Sequence, residues 1–379
     1  MRFFIIGNPS SVWLKEYIKH IHIKQGHEVC VTVFDTSKLQ FVDEYKKMGV
    51  QFIALGKNQG KFKKIIKFFR LFLFAYKNRN KKFDIMEIQS PPHNIQAFAL
   101  GMIARLMDCK TFLMFWGSDI LAINTKEAKK LEHVIKHVDV INRPGRQPYE
   151  KFIDFYGNKY QQLFTPFSLR FGTLALPWID KIQKEMNVSD CKKKINIPIN
   201  KTSVAIGYNG QRRQQHVQVI ESLGKMTEDL KHKIHLILHF AGCEDVSYVG
   251  EVKKLLDKYK FSYTCIEKNL EFNDIAVLRM ATDIFIHAQK TDGLSGSIRE
   301  CLYSNTLVIN PAWIKYDELK KLNVEYLEYN DFNELRNIVV ECLLGQVSVD
   351  LTRNKKIIGD YYSWDVLTKE WNQVFSRMI

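Results

Sequence analysis

The residues best suited to chemistry in this 379-residue chain lie in one glycine-rich segment, Lys290-Thr291-Asp292-Gly293-Leu294-Ser295-Gly296. The segment follows a predicted strand at 283–287 and runs into a predicted helix. Its glycines leave the backbone open to a ligand, and the N–H groups at the start of a helix favour a phosphate. Lys290 adds a positive charge, and Glu300, about one turn into the helix, is placed to accept hydrogen bonds from a ribose diol. These features indicate a nucleoside diphosphate site, with a plain strand-to-helix loop as the alternative.

A second loop, Asn209-Gly210-Gln211-Arg212-Arg213, follows a predicted strand at 202–207 and precedes another helix. Arginines at the start of a helix oppose the helix dipole, so this placement is unfavourable unless an anion lies between them. Arg212 and Arg213 are therefore candidates to neutralise a phosphate, and Asn209 is a candidate to bind the same ligand. Two solvated arginines at the surface are the alternative.

Loops of the amino-terminal half also carry polar side chains directly after predicted strands. They are Gly7-Asn8-Pro9-Ser10-Ser11, Ser90-Pro91-Pro92-His93-Asn94 and Phe115-Trp116-Gly117-Ser118-Asp119. Ser10 or Ser11 suits the N-cap of the next helix, and Asp119 suits either a helix cap or a sugar hydroxyl. Ordinary caps and a loop histidine are the alternatives. The candidates for a second ligand in this half are Asn8, Ser10, His93, Gly117 and Asp119.

Short apolar runs alternate with amphipathic helical patterns along the chain, which is typical of parallel sheets covered by helices. The strands predicted in the first half are 2–6, 28–34, 51–54, 84–88, 110–115 and 139–141. The strands predicted in the second half are 202–207, 233–240, 262–265, 283–287, 306–309 and 325–329. Ligands of such sheets bind at the carboxyl ends of the strands, where the loops described above are expected.

The alternation weakens over 179–201, which contains the charged run Asp190-Cys191-Lys192-Lys193-Lys194. We predict a linker there, between an amino-terminal domain at 1–178 and a carboxyl-terminal domain at 202–348. The last stretch, 349–379, has no strand pattern and is predicted to form helices that pack across both domains. The predicted fold is therefore α/β, with two Rossmann-like α/β/α domains facing a central cleft.

The composition is that of an ordinary globular protein, but the charge is not balanced. Lys and Arg outnumber Asp and Glu by 56 to 41, which gives a net charge of +15 and indicates an acidic partner. The seven cysteines are odd in number and form no CxxC pair, which argues for a reducing compartment without a cysteine-built metal site. Apolar runs fall far short of the ~18 residues of a membrane span. We therefore expect a cytoplasmic protein.

The basic residues concentrate in one segment: ten of them, and no acidic residue, lie between Lys57 and Phe83. Within it, 61–77 has the periodicity of a helix with one apolar stripe, formed by Phe62, Ile65, Ile66, Phe69, Leu73 and Tyr76. Such a helix suits the surface of an anionic membrane, so we predict peripheral binding to the inner membrane face through 57–82. A core helix with a solvated basic face is the alternative. Nucleic acid is disfavoured, because the chain has no zinc or RNA-recognition motif.

On these residues the chain resembles the retaining glycosyltransferases of the GT-B fold, especially the family-four-like group that builds bacterial surface polysaccharides. The resemblance covers most of the chain. It includes Gly7-Asn8-Pro9-Ser10-Ser11, Gly26-His27-Glu28-Val29, Trp116-Gly117-Ser118-Asp119 and the Arg212-Arg213 loop. Its most specific part is similar to the family's E-x7-E signature and the strand after it. That part runs from Asp292 to Glu300 and continues as Cys301-Leu302-Tyr303-Ser304-Asn305-Thr306-Leu307-Val308-Ile309-Asn310.

The resemblance implies roles for individual residues. Glu300 matches the second glutamate of the signature, which binds the nucleotide ribose. Asp292 stands where the first glutamate is usual and is the candidate for contact with the donor sugar, while Trp116 stands where many relatives have a histidine. The loop whose backbone N–H groups hold the diphosphate corresponds to Gly293, Leu294 and Ser295.

The resemblance also implies a reaction without a metal or other cofactor. Helix N-termini together with Arg212, Arg213 and Lys290 then have to stabilise the leaving diphosphate. In a front-face reaction with retention, the departing phosphate oxygen takes the acceptor proton, so no carboxylate base is assigned.

The function that follows is transfer of a sugar from a nucleotide-diphosphate sugar to a glycan or a polyprenyl-linked acceptor in surface polysaccharide synthesis. The donor is expected mainly on the second half of the chain and the acceptor mainly on the first half. Two other classes stay open: a GT-B nucleotide-sugar epimerase, and a catalytically silent homologue that acts as a partner subunit.

Overall fold

The computed structural model describes residues 1–34, 39–56, 63–80, 82–94, 96–243 and 245–379. The chain forms two compact units. The first unit consists of Met1–Gly172 and Trp364–Ile379, and the second consists of Thr173–Ser363. Each unit is built on one parallel β-sheet flanked by helices.

In the described part of the first unit, the sheet has six parallel strands, ordered β3-β2-β1-β4-β5-β6. They are β1 (Arg2–Ile6), β2 (Glu28–Val33), β3 (Gln51–Ala54), β4 (Ile85–Gln89), β5 (Lys110–Met114) and β6 (Val140–Ile141). The central β1 carries Phe3, Phe4, Ile5 and Ile6, all buried, as expected for a strand covered on both faces. The strands predicted for this half are confirmed to within one residue at either end.

The helices between these strands are α1 (Val12–Tyr17), α2 (Val42–Lys47), α3 (Lys63–Lys77), α4 (Gln96–Leu106), α5 (Ser118–Leu121), α6 (Thr125–Ile135) and α7 (Arg146–Tyr156). After Tyr17 the α-helical geometry of α1 ends, and the chain continues as a π-helical turn over Ile18–His22 and a 3-10 turn over Ile23–Gln25. Gly26 ends this run in a left-handed conformation with φ 73°.

The second unit repeats the plan. Over its described residues the sheet has the order β9-β8-β7-β10-β11-β12. Its strands are β7 (Thr202–Ile206), β8 (Ile234–His239), β9 (Ser262–Ile266), β10 (Ile284–Ile286), β11 (Leu307–Pro311) and β12 (Leu327–Tyr329). The predicted strands are confirmed to within two residues at either end. Both sheets thus have the strand order of doubly wound Rossmann-like domains, which confirms the predicted fold class.

The helices of the second unit are α8 (Leu176–Glu185), α9 (Val188–Lys194), α10 (His216–Leu223), α11 (Glu228–Lys233), α12 (Val246–Lys258), α13 (Phe272–Met280), α14 (Gly296–Tyr303), α15 (Asp317–Lys321), α16 (Phe332–Leu343) and α17 (Leu351–Tyr362). The segment predicted as a linker, 179–201, thus lies inside this unit as parts of α8 and α9. Ile179 and Ile182 are buried in its core. Lys192, from the charged run, is also buried, and its Nζ lies 2.6 Å from Asp283 Oδ2. The unit therefore begins at Thr173, before the predicted boundary at 178.

The last two helices divide between the units instead of packing together across both. Helix α17 packs on α14 in the second unit. After a break at Ser363, α18 (Trp364–Met378) belongs to the first unit. Its Trp371 is fully buried, and the indole Nε1–H donates to the backbone oxygen of Arg170 at 2.8 Å. The ring of Phe375 packs edge-on against Phe3 of β1.

Helix α3 confirms the helix predicted at 61–77 over the residues that are described; 57–62 and Lys81 of the basic segment lie outside them. The apolar stripe is on the outer face: the exposed side chains are Ile65, Ile66, Phe69, Phe72, Leu73 and Tyr76. Two basic side chains of this helix bond to backbone oxygens instead, the buried Lys67 and the exposed Arg70. Lys67 Nζ donates to the backbone oxygen of Phe34, and Arg70 Nη1 donates to that of Leu55 at 3.1 Å. Among the described residues, no helix is both long and apolar enough to cross a bilayer.

Candidate functional site

The middle strands of the second sheet, β7 and β10, are neighbours, and the strands that follow each of them lead to opposite edges. Ligands of open α/β sheets bind at such a point, outside the carboxyl ends of the strands. Asn209 and Arg213 follow β7, while Lys290 and the glycine-rich segment follow β10. The backbone N–H of Lys290 donates to the backbone oxygen of Arg213 at 3.1 Å. The fold therefore brings together the two loops that the sequence singled out in this half.

The glycine-rich loop is held by its own carboxylate. Leu294 has a left-handed backbone with φ 69°, which is uncommon for a residue other than glycine. Ser295 is the N-cap residue of α14, but its side chain makes no capping bond. Instead, Asp292 Oδ2 accepts a hydrogen bond from the backbone N–H of Ser295 at 2.8 Å. Gly293, between these residues, is exposed.

Asp292, the candidate for contact with the donor sugar, is buried and bonded to two tyrosines. Tyr316 Oη donates to its Oδ2 at 2.5 Å. Tyr208 Oη lies 3.3 Å from its Oδ1 and shares its proton between that oxygen and Gln289 Oε1, which is closer at 2.7 Å. Burial and the negative charge of Asp292 raise the pKa of Tyr316 well above its usual value, so this hydroxyl keeps its proton. In this arrangement Asp292 ties the glycine-rich loop to the core of the unit. Direct contact with a sugar stays a prediction.

Glu300 lies in the second turn of α14 and is also buried. Its Oε2 accepts hydrogen bonds from Nε and Nη2 of Arg279, both at 3.1 Å. A buried ion pair of this kind fixes the carboxylate, because removal of one partner leaves the other charge without compensation. Within the described parts of the chain, nothing bonds the second oxygen, Oε1. For the predicted contact of Glu300 with a ribose, Oε1 is therefore the available acceptor.

The two adjacent arginines have different surroundings. Arg212 Nε lies 2.8 Å from Asp245 Oδ2, and its Nη1 lies 2.8 Å from Glu251 Oε2. Hydrogen bonds from Ser247 and Arg212 lower the pKa of Asp245 to about 2, which keeps this partner ionised. Arg213 forms no ion pair with any described residue, and its Nε is buried without a hydrogen-bond partner. Of the pair, only Arg213 keeps an uncompensated charge for a phosphate.

In the first unit, Asp119 caps its own loop. Its Oδ1 accepts the backbone N–H groups of Trp116 and Gly117, at 3.0 and 2.9 Å. Gly117 has φ 112°, a conformation that favours glycine. Burial raises the pKa of Asp119 above its usual value. These bonds agree with the capping alternative that the sequence left open, and contact with a sugar stays a prediction.

The remaining candidates of the first unit lie in two further loops. Asn8 Oδ1 accepts the backbone N–H of Ser10 at 3.1 Å, and Ser10 Oγ accepts that of Gln40 at 3.3 Å. Ser11 is the N-cap residue of α1, although its side chain makes no capping bond. His93 is half-exposed, with its Nε2 3.5 Å from Glu127 Oε1.

These loops border cavities at the carboxyl ends of the first sheet. A cavity of about 530 Å³ is lined by residues that include Asn8 and Ser10. A second one, of about 310 Å³, is lined by 90–94 and Asp119. Ser90 and Pro92 line both, so Asn8, Ser10, His93 and Asp119 border adjoining spaces in this unit.

The sequence did not single out Tyr208, Arg279 or Tyr316, which hold the charged residues of the second unit. Tyr208 directly precedes the Asn209 loop, so its position after a strand was a usable signal. Arg279 and Tyr316 lie far from their partners along the chain, and only the sheet topology brings them to Glu300 and Asp292. In the described residues, no cluster of three His, Cys, Asp or Glu side chains could hold a metal ion.

No sequence-family model and no curated protein matches this chain. Solved structures resemble it over its whole length at low identity. A glycosyltransferase from Rickettsia africae has a TM-score of 0.76 at 15% identity, covering 100% of this chain and 98% of that one. HepE from Anabaena, in complex with UDP and glucose, has a TM-score of 0.73 at 12% identity over 100% of both chains. A sucrose-phosphate synthase from Thermosynechococcus elongatus has a TM-score of 0.73 at 11% identity, over 100% and 99%. The chain therefore has the GT-B fold.

Proposed function

We propose that this chain is a glycosyltransferase that uses a nucleotide-diphosphate sugar as its donor. The observation that carries the proposal is the glycine-rich loop at the start of α14, joined to the Arg213 loop where the strand connections diverge. This is the place where a helix N-terminus and fixed cations can hold a diphosphate. The likeness to HepE, whose structures contain UDP or UDP-glucose, supports this donor class.

The residues of the second unit divide the work of donor binding. Backbone N–H groups of Gly293 and Leu294 bind the diphosphate, and Lys290 and Arg213 balance its charge. Asn209 lies in the same loop as Arg213 and borders the diphosphate. Glu300 receives a ribose hydroxyl through Oε1, because Arg279 occupies its other oxygen.

The transfer breaks the bond between the anomeric carbon and a diphosphate oxygen and forms a bond between that carbon and the acceptor oxygen. The departing phosphate oxygen takes the proton of the acceptor hydroxyl, so a front-face reaction with retention needs no separate base. Arg213 and Lys290 stabilise the negative charge that develops on the leaving group. We propose that no metal ion takes part.

The acceptor is a glycan or a polyprenyl-linked saccharide of a surface polysaccharide pathway, and it binds in the first unit, where Asn8, Ser10, His93, Gly117 and Asp119 lie near the carboxyl ends of the strands. The exposed apolar face of α3 supports peripheral binding to an anionic membrane, with Lys77 and Arg79 beside it. Each basic residue near such a surface contributes on the order of 1 kcal/mol. The site of action is then the cytoplasmic face of the membrane.

A silent partner subunit is the second candidate, because two residues assigned to catalysis are engaged elsewhere. Asp292 is bonded to two tyrosines, and Arg212 is paired with two carboxylates. A silent homologue would bind the donor without consuming it, whereas an epimerase would convert the donor with no acceptor present.

A thermal-shift screen against UDP-, GDP- and TDP-sugars, with a CMP-sugar as the monophosphate control, tests the proposal. A ligand that binds only the folded protein stabilises it by mass action, about 2.7 kcal/mol at one hundred times its Kd. We expect one nucleotide class to raise Tm in the wild type and in Lys254→Ala, an exposed control, but much less in Lys290→Ala. Chromatography of the sugar nucleotide, with and without membrane extract as a source of acceptor, then separates transfer from epimerisation and from binding alone. Absence of any shift at millimolar ligand would contradict the proposal.

A further inference from the structure

The larger cavity of the first unit is built mainly from hydrocarbon. It lies at the carboxyl ends of β1, β2 and β4, where Ile6, Val33 and Ile88 are 3%, 2% and 1% exposed. Leu100 of α4 closes it from the helix side and is 2% exposed. Its volume of about 530 Å³ falls within the range of about 300–1,000 Å³ found for small-molecule sites.

Polar groups also line this cavity, and they are neutral. They belong to Asn8, Ser10, Gln89, Ser90 and Gln96. No Lys, Arg, Asp or Glu is among its described lining residues. Hydroxyl and amide groups of this kind can form hydrogen bonds with a hydroxylated head group. The aliphatic walls have no hydrogen-bonding groups, so burying a polar ligand against them would cost free energy.

The cavity lies beside the apolar surface of α3. Phe68 of α3 lines the cavity, and its ring centroid lies 6.5 Å from that of Phe34 at the end of β2. Its neighbour Phe69 is 61% exposed and belongs to the outer apolar face. The inward Lys67, bonded to the backbone oxygen of Phe34, holds the helix at this place. Ile65 and Phe72, which lie three residues before and four residues after Phe68 on the same side of α3, are 67% and 36% exposed, so the cavity wall borders the outer apolar face.

We infer that this cavity binds the hydrocarbon chain of an amphiphile whose neutral, hydroxylated head group lies against the Asn8, Ser10 and Ser90 loops. If the proposed function holds, this amphiphile is the acceptor, and the inference rests on that function for its biological role. Binding of the chain itself is independent of the donor site, which lies in the second unit.

Calorimetric titration with methyl, hexyl, octyl and decyl β-D-glucopyranosides, each below its critical micelle concentration, tests the inference. Affinity should rise by up to about fourfold per added methylene until the cavity is filled, as expected from about 0.8 kcal/mol per buried CH₂. Gln96→Trp places a large side chain at the cavity and should remove the dependence on chain length. Phe98→Gln, two residues further along α4 at a 53% exposed position outside the lining, should leave it unchanged.

Leu100→Phe, one turn further along α4 on the same wall of the cavity, serves as a second blocking variant if Gln96→Trp fails to fold. Equal affinity for the methyl and decyl glucosides would overturn the inference, as would a chain-length dependence that survives both blocking variants. UDP-glucose and GDP-mannose are titrated into the same samples as representative donors. Chain binding in a protein that none of the sugar nucleotides of the thermal-shift screen stabilises would refute the proposed function and leave the cavity assignment intact. Donor binding without any chain binding would refute the cavity assignment and leave the proposed function intact.

Discussion

At the scale of single residues, the adjacent Arg212 and Arg213 make a matched pair for testing the donor site. Arg212 is neutralised by Asp245 and Glu251, whereas Arg213 has no such partner among the described residues. We expect Arg213→Ala to lower kcat about 10²-fold or more, as removal of one charge-stabilising donor does elsewhere. Arg212→Ala should change kcat less than about threefold, because the charge of Arg212 is already compensated by two carboxylates. The fold should also tolerate this change, because exposed ion pairs contribute little to stability. Steady-state kinetics of both variants measures this, and equal losses would contradict the assignment.

Asp292 and Tyr316 allow a second test at this scale. Their short buried hydrogen bond ties the glycine-rich loop to the start of α15. Tyr316→Phe leaves Asp292 short of a donor and should lower the free energy of unfolding by about 1–3 kcal/mol. It should also raise KM for the donor more than it lowers kcat, since the loop is loosened and no reacting group is removed.

The control for Tyr316 is a double-mutant cycle with Asp292→Asn, measured by urea unfolding. The two changes should be non-additive by at least 0.5 kcal/mol, because they remove the same interaction. Strict additivity would show that the two side chains act independently, and a pure loss of kcat in Tyr316→Phe would place Asp292 on the sugar instead.

At the scale of elements, α3 presents an apolar face outward, while two of its basic residues, Lys67 and Arg70, bond to backbone oxygens. Phe69→Ser together with Leu73→Ser should reduce co-sedimentation with anionic vesicles severalfold, since the exposed apolar side chains are those that can enter the interface. Lys77→Gln should weaken binding at low salt, since it is the charge that attracts the lipid.

Lys67→Gln and Arg70→Gln form the contrast to these surface variants. Both side chains bond to backbone carbonyls, so their loss should lower Tm and affect vesicle binding only through stability. Unchanged sedimentation of Phe69→Ser with Leu73→Ser would refute the membrane role of α3. Neutral vesicles and 0.5 M salt serve as controls for the contribution of charge.

The secondary-structure elements also show which parts of the fold can be predicted from the sequence. The strands were predicted well, because β1, β2 and their counterparts are short, fully buried apolar runs bounded by turn residues. The segment at 179–201 was assigned wrongly to a linker, because its charged run looks solvated. In the structure its Ile179 and Ile182 are buried in the core, and Lys192 pairs with Asp283, 91 positions away, a contact that no local sequence pattern indicates.

The same limit applies to the candidate site. The loops after β7 and β10 were predictable, because their position after strands and their glycines and cations are local features. The hydrogen bonds from Tyr316 to Asp292 and from Arg279 to Glu300 could not be predicted from the sequence. Each of them depends on how separate strands are ordered in the sheet. The sequence therefore indicated the loops of the candidate site but not the side chains that bond to its charged residues.

At the scale of the whole molecule, acid should destabilise the second unit through its buried histidines. Burial lowers the pKa of His216 to about 4, while an unfolded histidine titrates near 6.5. The unfolded chain then takes up the proton first as pH falls, so this stability is fully present above about 6.5 and is lost progressively toward 4. The size is on the order of 3 kcal/mol for a shift of this extent.

Urea unfolding between pH 7 and 4.5 measures this dependence. Because Gln cannot take up a proton in either state, His216→Gln should reduce the dependence of the free energy of unfolding on pH by about the contribution of one histidine. His232→Gln, at an exposed position, should leave this dependence unchanged. His235, whose pKa burial also lowers to about 4, contributes the same sign and should account for part of the remaining slope. A profile identical to wild type in His216→Gln would contradict the buried, neutral state of this residue.

The division of the chain into two units predicts that each can be damaged separately. Trp371 of α18 is fully buried in the first unit, although it lies only eight residues from the end of the chain. Trp371→Ala should cost about 3–5 kcal/mol and lower the melting of that unit, and binding of the nucleotide sugar by the second unit should persist. Phe285→Ala, at a fully buried position of β10, should lower the melting of the second unit and leave that of the first unchanged.

Differential scanning calorimetry with and without donor separates the two cases, because only the transition of the unit that binds the donor moves upward. Loss of donor binding in Trp371→Ala, with both transitions shifted together, would show that the units fold as one.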